Sequence, residues 1–245
     1  RINGEIHGRL NPAWIALAGE EWRASGQVHC DLSFEGRIDG EARSWSLVPR
    51  GTCTGSLERL SGPWFVDTLR QGRVEIWTER KGLGFVLAGA WGGSPFRLET
   101  RGLPHPGPRY LEQMAAGARW ELSSSQCRVE DFRLTPERFP RAGPAPFWLG
   151  LPGRGTIRIE EGTFGDRPFH GLRASVFRSR GVSRVDSLEV SVAGGRIENA
   201  TARDLPGPFG ARSAREGRFI ARDLDLATLQ AFVRAAGVGL PGEAQ

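Results

Sequence analysis

The chain has 245 residues, 39% hydrophobic and 25% charged, which is enough for one large domain or two modest ones. Its 34 Gly and 16 Pro make up about a fifth of the chain, against roughly 12% on average. So many breakers exclude a helical bundle, and the apolar content excludes a disordered chain. The net charge is +5 with a pI near 10, but only Lys81 is lysine and the arginines are scattered singly, so no nucleic-acid partner is expected.

The longest apolar run, Ala13 to Ala18, falls far short of the ~20 residues that span a bilayer. No membrane-spanning helix or leader is predicted, and the stretch from Arg1 to Gln245 reads as a segment of something longer.

Along the chain the dominant signal is period-2 alternation bounded by glycine. Between Gly26 and Gly36, Val28, Cys30, Leu32 and Phe34 share one face, opposed by Gln27, His29, Asp31, Ser33 and Glu35. After Gly72, Val74 and Ile76 oppose Arg73 and Glu75; Phe85 and Leu87 alternate in the next apolar stretch. After Gly155, Ile157 and Ile159 oppose Arg158 and Glu160, and Leu188, Val190 and Val192 alternate with Glu189 and Ser191. Further windows near 38–48, 52–59, 83–90, 94–101, 118–124, 127–134, 172–179, 196–204 and 217–224 bring the expectation to about thirteen strands. Gly followed by Arg and an apolar residue recurs at Gly8, Gly36, Gly72, Gly195 and Gly217, as a rung restarting after a turn would read; coincidence in a Gly- and Arg-rich chain is the alternative.

Helix is confined to two short stretches. Residues 109–117 suit two turns, and 225–237 form the better case, with Asp225 placed to cap the start and Gly237 the end. Residues 136–150 are Pro- and Gly-rich and read as a linker between 1–135 and 151–245, across which the sheet could continue.

The chemical inventory is empty. His7, His29, His105 and His170 have no partner at ligand spacing, and Cys30, Cys53 and Cys127 form no metal or redox motif. No nucleophile elbow, phosphate loop or dinucleotide fingerprint occurs. Glu160 and Glu161 are adjacent in a strand and point to opposite faces, while Asp223 and Asp225 flank a helix start. No catalytic residue, metal or cofactor is predicted, and the protein is not read as an enzyme. Eight tryptophans (Trp14, Trp22, Trp45, Trp64, Trp77, Trp91, Trp120 and Trp148) suit sheet packing, sugar stacking or a membrane interface.

The second half carries a recognisable run: Gly155–Phe164, Pro168–Leu172, Val185–Ile197 with its Gly194-Gly195 turn, and Gly217–Leu229 ending in Leu-Asp-Leu-Ala-Thr-Leu. Over residues 150–235 this resembles the carboxy-terminal region of the AsmA-like family, the group that includes AsmA, TamB and YdbH. Asn199 and Pro206-Gly207-Pro208 depart from that pattern and interrupt the strand after Gly195.

The resemblance implies a mainly β fold, in which a long, highly twisted, antiparallel-rich sheet rolls into an open β-taco groove with two short helices. It also implies a Gram-negative envelope protein in the periplasm, tethered to the inner membrane, that passes phospholipid to the outer membrane. The residues expected to line the groove are Val28, Cys30, Leu32, Phe34, Val74, Ile76, Phe85, Leu87, Ile157, Ile159, Leu188, Val190 and Val192. A row of about thirteen strands at ~4.8 Å runs roughly 60 Å, and a seven-residue strand of roughly 24 Å exceeds the ~15 Å depth of one leaflet's hydrocarbon. The alternative is an envelope assembly or secretion scaffold whose apolar face packs a protein partner. A sugar-binding sandwich or a glycan-processing enzyme are further readings, the latter requiring two convergent carboxylates.

Overall fold

The computed structural model describes residues 2–10, 23–39, 44–62, 66–79, 82–104, 118–132, 151, 153–179, 182–192, 194–203, 216–225 and 227–228. They form twelve strands: β1 (Ile2–Leu10), β2 (Arg23–Asp39), β3 (Ser44–Ser61), β4 (Leu69–Glu79), β5 (Gly82–Trp91), β6 (Ser94–Leu103), β7 (Arg119–Arg128), β8 (Gly153–Phe164), β9 (Arg167–Ser179), β10 (Val182–Val192), β11 (Gly195–Arg203) and β12 (Glu216–Arg222). All belong to one sheet in chain order, with β1 and β12 as its two edges, so the sheet is open and not a barrel.

Every neighbouring pair is antiparallel except β7 and β8, which run parallel. A parallel pair needs a crossover of a dozen residues or more. The Pro- and Gly-rich 136–150 falls in that connection and lies outside the described residues, while the sheet itself runs on from β7 to β8.

Tight hairpins hold the order. Trp91 pairs with Ser94 across Gly92 and Gly93, whose φ values of 58° and 111° are open to glycine and costly for other residues. One end of the sheet, here termed the rim, carries Glu79, Gly82, Leu103, Arg119, Gly153, Ser179 and Val182. The opposite end, the base, carries Leu60, Leu69, Trp91, Ser94, Phe164, Arg167, Val192 and Gly195.

Several expectations require correction. The windows 38–48 and 52–59 are not two strands: β2 continues to Asp39, 40–43 lie outside the described residues, and one long β3 runs from Ser44 to Ser61, carried through Pro49 and Gly51 by its pairing with β2 and joined by β4 from Thr52 onward. Within the window 127–134, residues 133 and 134 lie outside the described residues and the strand ends at Arg128. Val129–Phe132 form a 3-10 turn at the base, where Val129 and Phe132 are buried. β1 was not anticipated; its apolar positions are separated by Gly4 and Gly8, which dilute the alternation.

Asn199 does not interrupt β11. It takes φ 51° within a bulge between Glu198 and Thr201, a left-handed position that Asn tolerates better than most residues. The helix expected at 109–117 lies outside the described residues. Of the one expected at 225–237, only the first helical residues, Ala227 and Thr228, are described. There Asp225 caps as expected: Oδ1 accepts from the Thr228 N–H at 2.7 Å and Oδ2 from the Thr228 hydroxyl at 2.6 Å.

Candidate functional site

Strand pairing carries the alternation of each strand across the sheet as straight rows of side chains. One row on the apolar face runs Val28, Gly55, Val74, Leu87, Leu98, Leu122, Ile157, Ala174, Leu188, each opposite the next, over nine strands from β2 to β10. The neighbouring row toward the rim runs Cys30, Cys53, Ile76, Phe85, Thr100, Trp120, Gly155, Val176, Val185. Toward the base, Ile159 pairs with Leu172, Val190 with Ile197, and Val192 with Phe169 and Gly195. Leu32 and Phe34 extend the face to β1, opposite Ile6 and Gly4. All thirteen expected lining residues therefore lie on one face.

Burial divides that face. Val28, Cys30, Ile157, Ile159, Val190 and Val192 are buried, as are Leu98, Trp120, Leu122, Ala174 and Val176 in the middle strands. Leu32, Phe34, Val74, Ile76, Phe85, Leu87 and Leu188 are half-buried, and Ile6 is 39% exposed. The face is thus packed over β6–β9 and partly open over β1, β2, β4 and β5.

Glycines on this face make room for rings. A Cβ at Gly4 would stand 2.2 Å from the Phe34 ring, at Gly155 2.1 Å from Trp120, and at Gly162 2.3 Å from Phe169. The large side chain lies across the neighbouring strand's bare backbone, an arrangement that offsets the weak strand propensity of glycine. Alternation in 94–101 and 118–124 was visible in sequence. Sequence alone does not place Phe96, Leu98, Trp120 and Leu122 on the face, because only pairing reveals which parity they share with Ile157.

Cys30 is not a free thiol. It is joined to Cys53, directly opposite on β3 with Cα atoms 4.1 Å apart, a spacing found at non-hydrogen-bonded antiparallel pairs. The sequence separation of 23 conceals the pairing; the β2–β3 register creates it. Cys127 is free and buried, and burial, reinforced by Asp131 and Glu130, pushes its thiol up to about 12.

The base is closed by the 3-10 turn. Phe96 stands edge-on to both Trp91 and Phe132, at centroid distances of 5.9 and 5.8 Å. Ser94 Oγ donates to Asp131 Oδ2 at 2.6 Å and accepts the Arg128 N–H at 2.8 Å, and the Gly165 N–H donates to Glu130 Oε1 at 2.8 Å. Burial raises the Asp131 carboxyl above the ordinary range, partly opposed by the Ser94 hydrogen bond.

The opposite face is mainly charged, although β5 places the buried Val86 there, opposite Glu75. Arg73 pairs with Glu75 at 2.5 Å, Arg97 and Arg101 both reach Glu99, and Arg158 lies 3.4 Å from Glu121. Trp77 lies on this face over Gly84 and donates to Glu79 at 3.2 Å, so it is a packing residue. At the β1 edge, His7 Nδ1 is 2.7 Å from Asp31 and Nε2 is 3.3 Å from Glu5; the Glu5 hydrogen bond, then that to Asp31, holds the imidazole above its ordinary pKa. Among the described residues no group of three His, Cys, Asp or Glu side chains could hold a metal, and no helix is long and apolar enough to cross a membrane.

Comparison of the chain with protein-family models, curated proteins and solved structures yields no match.

Proposed function

We propose that the apolar face holds phospholipid acyl chains, and that the chain is a segment of a conduit passing phospholipid between the inner and outer membranes of a bacterial envelope, as the AsmA-like resemblance implies. The observation that carries this reading is the pair of side-chain rows crossing β2–β10 without a charged residue. Exposing acyl chain to water costs ~0.8 kcal/mol per CH₂, or roughly 11 kcal/mol for about fourteen of them. A continuous apolar track lowers that barrier with no catalytic group, which agrees with the empty chemical inventory. The half-buried residues Leu32, Phe34, Val74, Ile76, Phe85 and Leu87 are where acyl chains would enter contact.

The Cys30–Cys53 disulfide supports a periplasmic location, since such bonds persist in oxidising compartments and are rare in the cytosol. Inner-membrane tethering would come from a segment outside this chain. The scaffold reading is favoured by a different observation, the burial of Leu122, Ile157 and Ile159 in the middle of the sheet, which suits a packed core more than a track. Organic extraction and mass spectrometry of protein purified from a bacterial envelope separate the two. Stoichiometric phospholipid supports the conduit, whereas none above a matched β-sandwich control supports the scaffold.

A further inference from the structure

The arginines scattered along the sequence are gathered by strand pairing. On the charged face near the rim, Arg101 of β6 stands opposite Arg119 of β7, Arg119 opposite Arg154 of β8, Arg154 opposite Phe177 of β9, and Phe177 opposite Arg184 of β10. The adjacent row, one pleat toward the base, supplies carboxylates only as far as β7: it runs Glu99, Glu121, Thr156, Ser175, Ser187. The row beyond that runs Arg97, Ser123, Arg158, Arg173, Glu189, and Glu189 lies 3.6 Å from Arg196 of β11.

The carboxylates present are already engaged. Glu99 lies 3.1 Å from Arg97 and 2.8 Å from Arg101, Glu121 faces Arg158, and Asp186 Oδ1 lies 2.7 Å from Arg184 Nε. Among the described residues Arg119, Arg154 and Arg173 stand in no ion pair, although all three are exposed. Like charges directly opposite on paired strands repel, so Arg119 beside Arg154 costs stability unless an anion lies between them. A depression of about 350 Å³ opens at this place, lined by Arg101, Arg119, Arg154, Thr156 and Ser175 together with the engaged acids. Two guanidiniums outside any ion pair and two hydroxyls match the oxygens of a phosphodiester.

We propose that this corner of the rim docks on the headgroup phosphates of an anionic phospholipid bilayer. Arg119 is the first residue of β7 and Arg154 the second of β8, and both side chains are exposed at the rim. Nucleic acid is disfavoured because the aromatic in the row is already taken: the Arg154 and Arg184 guanidiniums lie 5.7 and 4.7 Å from the Phe177 ring centroid, leaving no free stacking platform. The proposal concerns the charged face and stands whether or not the apolar face carries acyl chains.

Co-sedimentation of the whole chain with vesicles tests it. Binding is expected to phosphatidylcholine vesicles containing phosphatidylglycerol, to weaken with added salt, and to be absent for phosphatidylcholine alone. At about fivefold per arginine near an anionic surface, Arg119→Gln with Arg154→Gln should weaken binding about 25-fold. Arg9→Gln with Arg23→Gln, an equal loss of charge at exposed positions of β1 and β2, should change it less than about twofold, since such charges act only within a Debye length. Arg119→Lys with Arg154→Lys should retain most of it, which shows that a loss in the glutamine pair reflects charge and not folding. Equal weakening by the two glutamine pairs, no binding to the anionic vesicles, or tighter binding of single-stranded DNA through the same two arginines would each overturn the proposal. Vesicle binding without co-purified lipid would leave this docking intact and count only against the conduit.

Discussion

Trp120 lies across Gly155 at the single parallel junction of the sheet, where a Cβ on residue 155 would stand 2.1 Å from Cε2 and Cζ2 of the indole. The ring is 5% exposed and cannot move aside into solvent without opening the row that runs from Thr100 to Val176. Gly155→Val is therefore expected to destabilise the protein by about 1–3 kcal/mol, the usual cost of overpacking a filled site. A shift in the urea midpoint at constant slope checks this; an unchanged midpoint would mean that the indole is not seated there.

The disulfide and the buried thiol give a count. Titration with an aromatic disulfide reagent should find no reactive thiol in the native protein, one after denaturation, and three after denaturation with reduction. Cys127 is silent in the native state because its thiol, pushed up to about 12, is neutral as well as buried. Replacing Cys30 and Cys53 by Ser should cost about 3 kcal/mol, the scale expected for closing a loop of this length.

Most strand positions and their parity are legible because most strands keep one apolar and one polar side, which survives without knowledge of partners; β5, with no polar side chain, and the glycine-diluted β1 are the exceptions. Register was not legible. The opposition of Cys30 to Cys53, of Arg119 to Arg154 and of Trp120 to Gly155 arises between residues 23 or more positions apart, set by hairpins and one crossover. In sequence the window 127–134 reads as strand because Cys127 and Val129 alternate with Arg128 and Glu130, and so short a run does not separate strand from the 3-10 turn that Val129–Phe132 form.

The Asp131 carboxyl, raised by burial, predicts a pH dependence of definite sign. The folded state binds its proton more tightly than the unfolded state. Stability from this group is therefore greatest below the ordinary aspartate value of about 3.9 and falls as pH rises through the raised one. Asp131→Asn keeps an acceptor for Ser94 Oγ and removes the charge. It should stabilise the protein at neutral pH relative to the parent, with the difference narrowing on acidification, as followed by thermal melts across pH. A difference that widens at low pH would contradict the assignment.

His7 at the β1 edge follows the same sign. Its pKa is raised by Glu5 and then Asp31, so its ion pairs are fully formed below the ordinary imidazole value of about 6.5 and are lost as pH rises through the folded value. Amide exchange in β1 should quicken over that range, and Asp31→Asn should lower the imidazole midpoint seen by NMR. An unmoved midpoint would mean that the two strands are not joined there.

The central claim is that one face of the sheet meets lipid and the other meets water, and residues of β4 test it most directly. Ile76 is half-buried on the apolar face between Cys53 and Phe85, whereas Arg73 points outward with its side chain 74% exposed. A photo-crosslinking amino acid placed at each position in cells should capture phospholipid at Ile76 and none at Arg73. Equal capture at both positions, or none at Ile76 while the protein remains folded, would contradict the account.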